Sequence, residues 1–316
     1  MAFETFQTLI ARNKRNTWLL IALFAMFFIG LGLLIGYVWV GNWTFAIAVA
    51  AGAAVLAFFL MLGGYFGGSS VLLSMSQAHE IQKSDDPQLF NVVEELSIAA
   101  GSPMPRIYLI DEPAMNAFAT GRNPAHAFVA ITRGLRQRLT RDELQGVLGH
   151  ELSHIRHYDI LFATLVAVMV GTLVMLCDVF LRSMWWGAGS RGRRSDRDRG
   201  GGGGARLILL VLALVLAILA PVLAKIIQMA ISRQREYLAD AGSVQLTRNP
   251  EGLASALAKL AGDDEVLQVA NRATAPLYIV HPVLKAQEDQ EGTEGSIFDT
   301  HPPIRDRIKR LMALQQ

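Results

Sequence analysis

Two uncharged stretches near the N-terminus constrain this chain more than any other feature. Trp18 to Val40 is 23 residues without a charge, and Phe45 to Phe66 is another 22. At about 1.5 Å of rise per residue, the first makes roughly 34 Å of helix, enough to cross the hydrocarbon core of a bilayer. Gly41 to Thr44 leaves room only for a tight turn, so residues 1–66 are expected to be a transmembrane hairpin with both ends on one side. Arg12, Lys14 and Arg15 precede the first run as in a signal peptide, but the run is too long and no small-residue cleavage site follows, so it is expected to stay uncleaved. The composition agrees: 52% apolar and only 18% charged residues exclude a purely soluble or a disordered chain. With 29 basic and 27 acidic residues there is no charge excess to suggest a nucleic acid partner. The single cysteine, Cys177, cannot form an internal disulfide or a cysteine-based zinc site, so any metal must be held by histidine and carboxylate.

Two further apolar runs, Ile160 to Leu181 and Leu207 to Ile231, are less pure. The third contains Asp178 and the fourth Lys225, each toward an end where water is within reach, so neither is read as a functional intramembrane charge. Between the runs, the loop 182–206 has seven arginines and five consecutive glycines and is expected to be a linker. Residues 160–231 therefore read as a second hydrophobic hairpin. Residues 67–159 and 232–316 remain as two polar parts, together the size of one ordinary domain. In the first part a helix is expected over Asp86 to Ala100, followed by strands over Arg106 to Ile110, Ala114 to Thr120 and Ala127 to Thr132, with Pro- and Gly-containing turns between them.

The chemistry is carried by the helix that follows. Thr140-Arg-Asp-Glu143 is a capping box, which starts a helix, and Leu144, Val147, Leu148 and Ile155 keep helical apolar spacing through it. His150 and His154 then stand one turn apart on one face, a spacing that lets two imidazoles meet one metal ion. Glu151 would lie beside the open coordination position as general base. A chance His-Glu-x-x-His arises in on the order of one chain in a hundred of this length, so the capped helical setting adds to the signal. A third ligand is needed, and Ser232-Arg-Gln-Arg-Glu-Tyr-Leu-Ala-Asp240 offers Glu236 and Asp240 four residues apart, the first to bind metal and the second to orient a ligating histidine. His157 is a rival ligand only if the helix ends at once after His154.

His-Glu-Leu-Ser-His at 150–154 and Ser-Arg-Gln-Arg-Glu-Tyr-Leu-Ala-Asp at 232–240, separated by two apolar runs, resemble the HtpX heat-shock proteases. Asn116-Ala-Phe-Ala-Thr-Gly121 and Thr300-His-Pro-Pro-Ile-Arg305 are similar to the same family, so the likeness extends over nearly the whole chain. That family groups with the CAAX prenyl proteases. The resemblance implies a membrane α-helical anchor of two to four transmembrane helices carrying an α+β gluzincin-type zinc metallopeptidase domain. It also implies one zinc ion per subunit on His150, His154 and Glu236, with Glu151 catalytic. His301 is expected to assist the developing oxyanion, because the resemblance puts its region near the metal. Substrate is expected to add as an extended strand along Asn116, Ala117, Phe118 and Ala119.

The expected function is endopeptidase action on misfolded or damaged membrane proteins in stress-related quality control. The alternatives are a dedicated processing peptidase of the prenyl-protein or signal-peptide type, or a non-catalytic zinc-binding scaffold. Nine lysines and arginines near the membrane ends (Arg12, Lys14, Arg15, Lys83, Arg141, Arg156, Arg233, Arg235 and Arg248) lie on the catalytic side and seven on the other. The basic N-terminus and the charge-free first loop agree with a catalytic side facing the cytoplasm from the inner membrane.

Overall fold

A computed structural model describes residues 6–189, 233–270, 274–280 and 302–314 of the chain. Contacts divide it into two compact units. One consists of the described parts of Met1–Thr17, Gly64–Val168 and Ile227–Gln316, and the other of those of Trp18–Gly63 and Met169–Ile226.

Helices α1 (Phe6–Val40) and α2 (Trp43–Met75) are both long and apolar enough to cross a membrane. Their runs are joined at Gly41, whose φ of +69° makes the reversal. In the unit that holds Trp18–Gly63, the two helices touch through small residues. A side-chain carbon on Gly36 would come within 2.7 Å of the Ala46 Cα, and one on Gly32 within 2.8 Å of the Ala50 Cα. Lipid tails give apolar helices no hydrophobic reason to associate, so such close backbone packing has to supply the contact. Leu19, Leu23, Met26, Phe58 and Phe59 are exposed, as suits side chains facing hydrocarbon.

The other unit is built from short elements with explicit start and stop signals. Helix α3 (Pro87–Ala100) begins where Asp86 accepts a hydrogen bond from the Leu89 amide and Pro87 takes the first turn; it ends at Gly101 with φ +60°. Strands β1 (His79–Glu80), β2 (Arg106–Ile110), β3 (Ala117–Gly121) and β4 (Ala127–Thr132) form a sheet in the order β1-β2-β4-β3. Only the β2/β4 pair is parallel. Helices α4 (Arg133–Arg138) and α5 (Arg141–Arg156) follow, then α6 (Asp159–Gly189), α7 (Arg233–Thr247), α8 (Pro250–Ala261) and α9 (Ile304–Ala313). The core joins Leu89, Val92, Val93 and Leu96 of α3, Val129 and Ile131 of β4, Leu144, Val147 and Leu148 of α5, and Leu253, Leu257 and Leu260 of α8. Each such side chain contributes about 1.5–3 kcal/mol of burial. Helix α5 lies at the centre of this unit, packed by α3, α7, α8 and β3.

The structure departs from the sequence expectation in two strands. The second begins at Ala117 rather than Ala114, because the backbone ahead of it bonds elsewhere: the Met115 amide donates to Asp263 and the Asn116 amide to the Thr132 hydroxyl. Strand β1, two residues long, was not anticipated. The fourth apolar run with Lys225, most of the arginine-rich loop, and His301 lie outside the described residues; Asp178 lies within α6.

Candidate metal centre

Helix α5 is fixed at its start before it offers anything at its end. Glu143 accepts from the Thr140 amide at 2.8 Å to close the capping box, and the same carboxylate accepts from Ser255 and Lys259 of α8 at 2.6 and 2.8 Å. Against α7 two glycines face serine side chains. A side-chain carbon on Gly149 would lie 2.9 Å from the Ser243 hydroxyl, and one on Gly242 would overlap the Ser153 hydroxyl. The Ser243 hydroxyl donates across this seam to the Gly146 carbonyl at 2.6 Å.

Next to the seam residues Gly149 and Ser153, the imidazoles of His150 and His154 meet edge to face with centroids 4.7 Å apart. Their Nε2 atoms are 3.2 Å apart. Glu236 arrives from α7 with Oε2 3.5 Å from Nε2 of His150 and Oε1 3.6 Å from Nε2 of His154. Two ligands at about 2.0–2.1 Å from a tetrahedral zinc ion stand about 3.3–3.4 Å apart. The three observed separations straddle that value, and two imidazoles with one carboxylate make a donor set suited to such an ion. The residues present therefore fit a metal. Among the described residues, this is the group of histidine, cysteine and acidic donors close enough to hold one.

Both rings are aimed by a carboxylate on their far nitrogen. Nδ1 of His150 lies 3.0 Å from Asp240 of α7, and Nδ1 of His154 lies 3.1 Å from Asp159 at the start of α6. Such partners set the tautomer and leave Nε2 for the metal. Asp240 is itself clamped by the fully buried Arg307 of α9, which donates to its two oxygens at 2.9 and 2.6 Å and stands 3.7 Å from Glu236. Burial opposes ionisation of Asp240, but Arg307 and His150 together outweigh it and hold the carboxyl below the usual carboxylate range. For the histidines burial again disfavours the charge, and the carboxylates reverse it: Asp240 and Glu236 raise His150, while Asp159 and Glu236 push His154 up to about 9.

Glu151 is 2% exposed and faces the Ala119 backbone of β3. Burial raises its pKa, with the two histidines pulling the other way. The remaining expected residues are distributed unevenly. β3 is an edge strand beside Glu151, but part of its edge is already covered: the Ala117 carbonyl accepts from Ile279, and Asn116 bonds to the Val280 carbonyl and amide. Phe118 is in the core against Tyr278. Helix α5 does end at Arg156, yet His157 caps it instead of joining the donors, and burial depresses its pKa to about 4.

Asp159 and Arg307 were missed from the sequence. The sign for Arg307 is a cation on the stripe Ile304, Arg307, Ile308, Leu311, whose other members are apolar. For Asp159 there was only its distance of five residues from His154.

The profile of peptidase family M48 matches residues 83–315. Curated relatives that match carry the name protease HtpX homolog. The one from Lactobacillus helveticus is 43% identical over 302 residues, 96% of this chain and 97% of the relative. The one from Lactiplantibacillus plantarum is 45% identical over 303 residues with the same coverage. The one from Caldanaerobacter subterraneus is 42% identical over 319 residues, 99% of both. Among solved structures, that of S. mikatae Ste24p aligns with a TM-score of 0.47 at 18% identity, over 96% of this chain and 66% of that one. A family profile spanning most of the chain and relatives matched end to end above 40% identity lead to one conclusion: the chain belongs to peptidase family M48, among its HtpX homologues.

Proposed function

We propose that the chain is a membrane-anchored zinc endopeptidase, with one ion per subunit held by His150, His154 and Glu236. The observation that carries this reading is the convergence of three donors from α5 and α7 within 3.2–3.6 Å, with a buried glutamate adjacent to the first histidine. Bound there, zinc supplies Lewis acidity at a scissile carbonyl and lowers the pKa of water toward about 7. Glu151 is the general base and then the general acid: it takes a proton from the attacking water and returns it to the leaving amine. Its raised pKa brings uptake and release of that proton nearer to neutral pH. Asp240 and Asp159 hold the ligating rings.

We assign substrate docking to the β3 edge, with Asn116, Ala117, Phe118 and Ala119 forming and supporting it. Backbone pairing of this kind gives affinity with little side-chain selection, which suits damaged polypeptides in stress-related quality control. His301, six residues before Arg307, is assigned to the developing oxyanion. The catalytic side faces the cytoplasm, supported by the basic residues flanking the apolar runs.

The test compares detergent-purified wild type with Glu151→Gln for zinc content and degradation of an unfolded protein. Wild-type cleavage, with the variant inert but zinc-loaded, is expected. Retained cleavage by the variant would remove Glu151 from the mechanism, and an inert zinc-loaded wild type would leave a metal-binding scaffold.

A further inference from the structure

Helix α1 begins at Phe6, well before its apolar run starts at Trp18, although an anchor needs only the run. In this extension Asn13 is 3% exposed. Its amide nitrogen donates to the His157 carbonyl at 2.8 Å and to Oδ1 of Asp159 at 2.6 Å. The neighbouring Lys14 ammonium lies 4.5 Å from the centre of the Tyr158 ring. All three contacted residues form the turn between α5 and α6, where the helix axes bend by 83°. Tyr158 holds that turn with φ of +60°, a left-handed conformation that costs a residue with a side chain about 1–2 kcal/mol and persists only where its surroundings enforce it. Next to it, the second oxygen of Asp159 meets Nδ1 of His154 at 3.1 Å. A single carboxylate is therefore shared between a proposed ligand ring and an amide 146 residues earlier in the chain. The nearest Arg235 nitrogen, at 3.8 Å from Asp159, is too far to fix the carboxylate plane by hydrogen bonding.

We infer that Asn13, assisted by Lys14, is a positioning residue for the metal centre: it braces the α5–α6 turn and orients Asp159, and through Asp159 it aims the His154 ring. The segment ahead of the first membrane run is then part of the hydrolytic apparatus as well as a lead-in to the anchor. This inference rests on the zinc reading above.

The experiment is a double-mutant cycle on the full chain in detergent, with zinc affinity read by competition with a chromophoric chelator and kcat read at saturating zinc. Outer partners of ligating histidines are worth about 10–100-fold in affinity. Asn13→Leu is expected to weaken zinc binding about tenfold and lower kcat without moving KM, and Asp159→Asn to weaken it at least as much. The double variant should be no worse than Asp159→Asn alone, since both changes break one relay. Asn13→Ser, one atom shorter, is the second variant should the leucine fail to accumulate. Thr17→Val removes another buried side-chain bond one turn along the same helix and should leave zinc affinity at the wild-type value. Wild-type affinity in both Asn13 variants, or losses that multiply in the double, would overturn the inference while leaving the zinc reading intact. A wild type that binds no zinc would overturn both.

Discussion

The apolar hairpin of Trp18–Gly63 and the unit around α5 hold their helices together by opposite means. In the hairpin, glycine and alanine bring two backbones together, and nothing charged stands between Trp18 and Phe66. Around α5 polar pairs join the apolar core: Arg307 with Asp240 and Asp159 with His154 inside, and Glu143 with the more exposed Lys259 at the rim. The difference teaches where each region is vulnerable. Small-residue packing fails when volume is added, whereas a buried polar cluster fails when one partner is removed and the other is left desolvated.

The largest effect that would sharpen this contrast is expected at Glu236. Glu236→Ala should cost more than the about 100-fold in zinc affinity that outer partners are worth, because it deletes a donor outright. Equilibrium dialysis would check it, and stoichiometric zinc in this variant would break the proposed ligand set. Next is Arg307→Leu, which strands Asp240 in the interior. Unfolding measurements should show a loss of about 3–5 kcal/mol, together with a weaker grip on zinc. If Arg307→Leu were as stable as the wild type, the buried cluster would not be what holds α9 to α7.

On the hairpin side, Gly36→Val should cost about 1–3 kcal/mol by overpacking against Ala46, read as a lower Tm in detergent, with zinc affinity unchanged. A parallel fall in zinc affinity would end the contrast. Acid should separate the regions as well. Burial acts against the Asp86 and Glu143 carboxylates, but Arg136 for one and Lys259 and Ser255 for the other hold both below their ordinary range. With folded pKa values depressed, the stabilisation is complete above roughly pH 4–4.5 and is lost as the pH falls through the folded values. The hairpin, with no carboxylate, should not follow that titration. Hydrogen exchange measured region by region as a function of pH would decide this. The smallest change is expected for a lipid-facing substitution such as Leu23→Ala, within about 0.5 kcal/mol in detergent.

The same contrast governs what could be read in the sequence. The hairpin is a property of composition and needs no partner to be recognised. The capping box at Thr140, the one-turn step from His150 to His154 and the matching step from Glu236 to Asp240 are local patterns, set by 3.6 residues per turn. What escaped reading lies in pairs distant along the chain. Asn13 and Asp159, Asp240 and Arg307, and Ala117 and Ile279 are each separated by 67 residues or more. No periodicity announces such pairs. Their trace is a polar residue on an otherwise buried stripe: Arg307 among isoleucines and leucine, and Asn13 in register with Thr17, Leu20 and Phe24. The two-residue strand β1 left no trace, since alternation needs more positions to register.

The seam at Gly149 and Gly242 limits how this protein can change. The proposed ligands, His150 and His154 on α5 and Glu236 on α7, sit on helices that meet where a methyl group on Gly242 would press into the Ser153 side chain. Even an alanine there would wedge the helices apart and spread the donor triangle without altering a donor. The coordination distances are thus written into hydrogen atoms, in residues that no inspection of ligands alone would single out.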